Sequence, residues 1–189
     1  MIELEINQLH SIASEIKKEE DSYLKTYPTF INYFKEQDQL TEKNIIIGIS
    51  LVYSWMPTIL KNLDLEKIEE ATKILNKAKT SEQITKQELE LLISTFNNSL
   101  VGSSKLLHFI NPKKYAIWDS KVFKALYDNK TPYQGAITNP DKYFEYIDWI
   151  EGMIEKPSFN QLYEKIKRLI GDDITEYRAI EYCLFKKPL

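Results

Sequence analysis

The sequence predicts an all-α protein, a compact two-lobed array of about ten helices. Apolar residues recur at intervals of three and four along most of the chain, which is the period of amphipathic helices. No stretch shows a convincing alternation of apolar and polar residues. Five glycines and seven prolines among 189 residues are few for a β-sandwich or barrel with many tight turns. A hydrophobic content of 43% with 28% charged residues is typical of a globular domain.

The first half of the chain contains five segments with helical periodicity. They cover about residues 2–16, 22–34, 41–55, 64–79 and 87–96. Pro28 is expected to kink or break the second helix, because proline lacks the N–H that an internal turn requires. Thr41 and Asp64 stand where N-caps are preferred. The segment after Thr41, IIIGISLVYSW, is apolar almost all round and is predicted to be the buried central helix.

The second half continues the same pattern with shorter helices. They cover about residues 103–110, a segment beginning after Asp119, and residues 141–155, 158–170 and 173–185. Gly171 stands where a helix C-terminus favours glycine. The longest loop is DNKTPYQGAITNPD, residues 128–141, and its Pro and Gly make it the expected hinge between the lobes. Residues 1–189 therefore read as a single helical domain.

Charge and cysteine content limit the functional classes. The net charge of −3 argues against tight, non-specific nucleic-acid binding, yet residues 101–130 carry six lysines against two aspartates. Only two arginines occur, which is sparse for a surface that clamps phosphates. One cysteine and two distant histidines predict no metal site and no cofactor. The acidic start MIELEINQLH and the absence of a long apolar run predict a cytoplasmic protein without a membrane partner.

Asp119 is the residue with the most informative setting. It precedes SKVFKALYD, whose apolar residues share one helical face, so an N-cap role is expected, worth about 0.5–2 kcal/mol over Ala. The carboxylate also suits the positive end of a helix dipole. A capping role fixes the position of the carboxylate and leaves room for a second role in chemistry.

The segment around Asp119 resembles a known family. Residues 97–126, NNSLVGSSKLLHFINPKKYAIWDSKVFKAL, read as a helix end, a turn, a short helix, a basic turn and then Asp119-Ser120-Lys121-Val122 opening a helix. This order resembles the helix-hairpin-helix DNA glycosylase superfamily. The segment PKKYAIWDSKV is similar to the corresponding sequence motif of 8-oxoguanine-glycosylase-like proteins. The resemblance covers about 30 residues and implies a degenerate helix-hairpin-helix.

The resemblance implies a role for Asp119 and a DNA partner. Such enzymes extrude a nucleotide into a pocket, and a carboxylate near C1′ stabilises the positive charge that develops on the sugar. Trp118, Tyr53 and Trp55 are then candidates for the wall of a base pocket, with core packing as the alternative for each. Candidates for contacts with the nucleic-acid backbone are Lys105, Lys113, Lys114, Lys121, Gly102 and Asn98.

Two departures from the family pattern shape the expected activity. The hairpin turn keeps Gly102 alone of the usual G-x-G, although Asn97 and Asn98 tolerate a left-handed backbone. Lys105 falls inside the second hairpin helix rather than before it, which favours a phosphate contact over a Schiff-base nucleophile. The sequence therefore predicts a monofunctional glycosylase that hydrolyses the N-glycosidic bond of a damaged or modified base. The alternative is a non-catalytic helical module on the same scaffold that binds nucleic acid or a protein partner.

Overall fold

The computed structural model describes residues 2–17, 22–127 and 135–188. Every regular element in these ranges is helical, apart from an isolated bridge between Leu63 and Phe96, so the all-α prediction is confirmed. The ten α-helices are α1 (Ile6–Glu15), α2 (Ser22–Lys35), α3 (Glu42–Ser54), α4 (Ile68–Lys79), α5 (Lys86–Thr95), α6 (Leu100–Ile110), α7 (Ser120–Leu126), α8 (Pro140–Ile154), α9 (Phe159–Ile170) and α10 (Glu176–Lys186). A short 3₁₀ helix, Leu65–Lys67, precedes α4.

Side-chain caps fix most of the helix starts that the sequence predicts. Thr41 accepts a hydrogen bond from the backbone N–H of Asn44, whose side chain bonds back to the cap. Asp64 caps the 3₁₀ turn instead of α4 itself, by accepting from the N–H of Glu66. Each cap supplies a partner for an N–H that the helix leaves unpaired.

The sequence predicted a kink or a break at Pro28, and helix α2 runs through this residue without a break. Tyr27, Phe30 and Phe34 are buried on one side of this helix. Burying an aromatic side chain contributes about 1.5–3 kcal/mol, and proline in a helix interior costs about 3 kcal/mol. The three buried rings therefore outweigh the lost backbone hydrogen bond.

The most deeply buried helix is α6 rather than α3. Nine of its eleven residues are buried, compared with five of thirteen in α3. Helices α2, α3, α4 and α5 all pack against α6. The small residue Gly102 leaves room for α3, because an added Cβ there would lie 3.1 Å from the Tyr53 hydroxyl oxygen.

Helix α10 is the second helix against which several others pack. Helices α1, α7, α8 and α9 pack against it, and eight of its eleven residues are buried. Residues 128–134 of the expected hinge lie outside the described residues. No helix in the described ranges has both the length and the apolar character needed to cross a membrane.

A buried histidine ties the segment before α7 to the core. The Nδ1–H of His108 donates to the carbonyl oxygen of Tyr115 (2.7 Å), so Nε2 must accept from the Tyr27 hydroxyl (2.9 Å). Burial lowers the pKa of His108 to about 3, and the nearby charge of Arg178 acts in the same direction. The histidine is therefore neutral in the folded protein and links α2, α6 and residue 115.

A glycine in α3 provides a test of the core. A Cβ on Gly48 would clash with the ring of Phe34 and lie 3.3 Å from Leu106 Cδ1. We expect Gly48→Ala to destabilise the protein by about 1–3 kcal/mol, because overpacking outweighs the gain in helix propensity. Gly152→Ala, on the exposed side of α8 with open space around it, is the control and is expected to be neutral or stabilising. Urea unfolding measures both; a stable Gly48→Ala variant would contradict this packing.

The His108 network predicts a pH dependence of stability. The folded pKa lies below that of an unfolded histidine, about 6.5, so this stabilisation is complete above pH 6.5 and is lost as the pH falls towards 3. Between pH 6 and 5 the free energy of unfolding should fall by up to about 1.4 kcal/mol more for the wild type than for His108→Gln. Urea titrations at pH 7, 6 and 5 measure the slopes. His10→Gln is the control, and equal slopes in all three proteins would refute the interpretation.

Candidate functional site

A cleft of about 540 Å³ lies between the group of helices around α6 and the C-terminal helix α10. Its volume falls within the range of about 300–1,000 Å³ that is usual for small-molecule sites. The residues that line it are Tyr23, Leu24, Trp55, Met56, Pro57, Thr58, Ser99, Val101, Lys105, Ile117, Asp119, Ser120, Lys121, Ile137, Arg178, Glu181, Tyr182 and Phe185. The wall is thus mainly apolar and aromatic, with two acidic and three basic side chains.

Asp119 lies at the mouth of α7 and faces this cleft. Its Oδ1 accepts hydrogen bonds from the N–H groups of Lys121 (2.9 Å) and Val122 (3.0 Å), so the predicted N-cap is present. Within the described part of the chain, no hydrogen bond reaches Oδ2. One oxygen therefore fixes the carboxylate while the other remains available to a bound molecule.

Lys105 lies in the same cleft, on the second turn of α6. Burial lowers the pKa of its amine, and the charges of Asp119 and Glu181 oppose that shift. Among the described residues it forms no ion pair within 4 Å. A lysine in this setting gives up its proton more easily than an exposed one. It can therefore act as a hydrogen-bond donor or, when neutral, as a nucleophile.

Ser104 holds the backbone that precedes Asp119. Its hydroxyl accepts from the N–H of Trp118 (3.1 Å) and lies 3.3 Å from the Trp118 carbonyl oxygen. The Tyr143 hydroxyl donates to the carbonyl of Ala116 (3.1 Å). These bonds pair polar groups that an irregular buried segment would otherwise leave unsatisfied. They place Asp119 at a fixed distance from Lys105, the neighbour of Ser104.

One of the three expected base-pocket residues lines the cleft. Trp55 lies on its wall, where its Nε1–H donates to Thr26 Oγ1 (2.9 Å) and its ring packs edge-on against Phe109. Trp118 is fully buried and donates to the carbonyl of Ile137, because neighbouring side chains of an extended segment point to opposite sides. Tyr53 is buried against Gly102. The structure thus places these two residues in the core.

The predicted lysines divide into two groups. Lys121 reaches over the ring of Phe185 (4.2 Å from Nζ to the ring centre) at the rim of the cleft. Lys113 and Lys114 are exposed in the turn after α6 and do not line the cleft; Lys114 lies 3.7 Å from Glu151. The cleft therefore combines Lys105 and Lys121 with Asp119.

The turn between α5 and α6 differs from the expected phosphate site. Asn97 and Asn98 adopt positive φ angles of 61° and 51°, which is the left-handed backbone that the sequence allows there. Gly102 lies inside α6, and its N–H donates to the cap Ser99 (3.0 Å) rather than facing outward. Asn98 is exposed beside a separate shallow pocket that Asp64 also lines. Neither Gly102 nor Asn98 lies in the wall of the main cleft.

The sequence reading missed two cleft residues, Arg178 and Glu181. They stand three residues apart on α10, and the sequence alone assigned neither of them to a site. Their neighbours in the sequence could have indicated a buried position. The residues around them leave this part of α10 no polar side: Tyr177, Ala179, Ile180, Tyr182, Cys183 and Leu184. Two charges on a helix that is apolar all round must point into protein or into a cleft.

The described residues contain no group of three or more His, Cys, Asp or Glu side chains that could hold a metal ion. The cleft offers two carboxylates, two amines, one guanidinium and several aromatic rings. Searches against protein-family models, curated proteins and solved structures found no match. The function is accordingly inferred from the residues of the cleft.

Proposed function

We propose that the protein is a DNA N-glycosylase that hydrolyses the bond between a damaged or modified base and its sugar. The observation that carries this proposal is the position of Asp119, which is fixed through Oδ1 and faces a cleft shared with Lys105 and Trp55. A carboxylate and an aromatic ring in one cleft match the two needs of the reaction, a partner for positive charge and a surface for a flipped base.

The base would enter between the aromatic and apolar walls of the cleft. Trp55 is held by a cluster of rings that includes Tyr23, 5.4 Å away, and Phe30, also 5.4 Å away. Stacking of a base on an aromatic side chain contributes about 1–3 kcal/mol. A fixed ring supplies this energy with little loss of side-chain freedom, which helps to offset the cost of unstacking the base from DNA.

In the proposed hydrolysis, the bond between the base nitrogen and C1′ breaks and its electron pair leaves with the base. The positive charge that develops at C1′ is stabilised by the Asp119 carboxylate. Water then adds to C1′ and transfers a proton to Asp119. Lys121, at the rim, would contact the phosphate backbone. Lys105, inside the cleft, would donate a hydrogen bond to the sugar or to a phosphate oxygen.

A substitution that keeps the cap but removes the charge tests this function. We expect Asp119→Asn to lower single-turnover excision by about 10²–10³-fold, the usual cost of losing one electrostatic contact to a transition state. Its stability should change little, because Asn caps helices about as well as Asp. The assay uses a panel of duplexes, each with one modified base, at low salt. Asp64→Asn, which alters a capping aspartate outside the cleft, is the control.

The possible results of this assay are distinct. Undiminished excision by Asp119→Asn would remove Asp119 from the mechanism. Binding of duplexes without excision of any base would favour the non-catalytic module instead. Absence of binding to every duplex at low salt would contradict both nucleic-acid functions.

A second activity is favoured by the lowered pKa of Lys105. A neutral amine in the cleft can attack C1′, displace the base and form an imine with the opened sugar, after which the 3′ phosphate leaves by elimination. Lys105 lies on the second turn of α6, yet the fold brings it to the same cleft as Asp119. This bifunctional mode uses the same binding site and differs from hydrolysis in the nucleophile.

Borohydride trapping separates the two modes. If Lys105 is the nucleophile, the wild type should form a covalent protein–DNA adduct with borohydride, while Lys105→Gln should form none. Adduct formation should rise with pH around a midpoint below the 10.4 or so of an ordinary lysine. Lys43→Gln, which alters an exposed lysine of α3 outside the cleft, is the control and should keep the adduct. Excision without an adduct, unchanged in Lys105→Gln, would establish hydrolysis alone.

A further inference from the structure

Two buried charged residues of the cleft take no part in the proposed reaction. Arg178 and Glu181 lie three residues apart on α10, and both line the cleft. Their side chains are 8% and 2% exposed, and Arg178 Nη1 donates to Glu181 Oε2. This pair lies on α10, which packs against α7, the helix that Asp119 caps.

Stability alone does not account for this pair. Removing two charges from water costs several kcal/mol per ion before their attraction is counted, so apolar residues of similar volume often serve a core equally well. The fold leaves Arg178 Nε fully buried without a hydrogen-bond partner, and in the described residues Arg178 Nη2 and Glu181 Oε1, which are not fully enclosed, also have none. A pair that the fold satisfies only in part, and that borders a cleft, has hydrogen-bonding capacity to offer a ligand.

The surrounding rings hold the pair in one orientation. The Arg178 guanidinium lies 4.9 Å from the ring centre of Tyr27 and 5.6 Å from that of Tyr182. Tyr27 is itself fixed by its hydrogen bond to His108. Among the described residues, Arg178 is the one that forms a hydrogen bond with the Glu181 carboxylate. The geometry is therefore rigid on the protein side before any ligand arrives.

The chemistry of the two groups defines what they can recognise. A guanidinium only donates hydrogen bonds, and a carboxylate only accepts them. Side by side they complement an edge with an acceptor next to an N–H, and a lactam, O=C–N–H, presents this pattern. The guanidinium would donate to the lactam oxygen, while the lactam N–H would donate to the carboxylate.

We propose that Arg178 and Glu181 are the specificity determinants of the cleft and select a neutral heterocycle that presents a lactam edge. This inference rests on the proposed function only in taking the cleft as the site of a base. Discrimination follows because a ligand without the N–H leaves Glu181 Oε1, the oxygen that Arg178 does not bond, without a hydrogen-bond partner in the closed site, which a rigid site rejects strongly.

Paired ligands test the proposal on the wild-type protein. Uridine and 3-methyluridine differ by one N-methyl group that removes the lactam N–H, and inosine and 1-methylinosine differ in the same way. Calorimetry measures the dissociation constant of each nucleoside. We expect each parent to bind at least about tenfold more tightly than its N-methyl partner. Equal affinities, or no binding of either parent at millimolar concentration, would overturn the proposal.

A double variant tests the residues themselves. Arg178→Gln with Glu181→Gln removes both charges together, so that neither remains buried alone. The preference for the parent nucleoside should shrink to within about twofold. The control is Lys77→Gln with Glu88→Gln, which alters a half-buried ion pair (2.9 Å) outside the cleft and should keep the preference. A full preference in the Arg178/Glu181 variant would show that the pair serves structure alone.

The nucleoside-binding measurements and the glycosylase assay can give negative results independently of each other. Selective nucleoside binding without excision of any base would leave the lactam inference standing and remove the hydrolase. Excision that makes no distinction between N–H and N-methyl forms of one modified base would do the reverse.

Discussion

The attachment of residues 115–118 to helix α6 is the constraint on which the cleft depends. Ser104 and His108 lie one turn apart on the same side of α6 and bond the backbone of Trp118 and Tyr115. The Tyr115 N–H bonds the carbonyl of Asn111 (3.1 Å), and the two side chains supply partners for the Tyr115 carbonyl and the Trp118 N–H. Because Lys105 is adjacent to Ser104, the same attachment also sets the position of its amine relative to Asp119.

Four of the five charged side chains of the cleft interact with one another, the acidic Asp119 and Glu181 and the basic Lys105 and Arg178. Burial lowers the pKa of Lys105 and raises that of Glu181, since low polarity favours the neutral form of each. Arg178 opposes the rise for Glu181, and Asp119 opposes the fall for Lys105. Perturbed groups of this kind concentrate at functional sites. The four charges balance one another, so loss of a single member leaves an uncompensated charge and affects the other three.

Local signals in the sequence predicted the helices and the cap at Asp119, because periodicity and capping act over a few residues. The interior of the cleft depended on tertiary packing. Trp118 was expected in the pocket as the neighbour of Asp119, yet alternation along an extended segment turned it into the core. Arg178 and Glu181 were missed because only the packing of other helices onto α10 encloses them beside the cleft. At Pro28, the buried rings of α2 outweighed the tendency of proline to break a helix.

In the proposed function, the turn between α5 and α6 explains why the choice of base falls to the cleft. Asn97 donates its N–H to the carbonyl of Asn62 (2.8 Å), and its side-chain oxygen accepts from the N–H groups of Lys61 and Asn62. The polar groups of Asn97 therefore form hydrogen bonds with residues 61–62 and are not free to bind a phosphate. With Gly102 enclosed in α6, the backbone contacts of the proposed DNA complex would come from lysines such as Lys121, which attract any base sequence equally. In the proposed function, the choice between bases therefore depends on the groups that line the cleft.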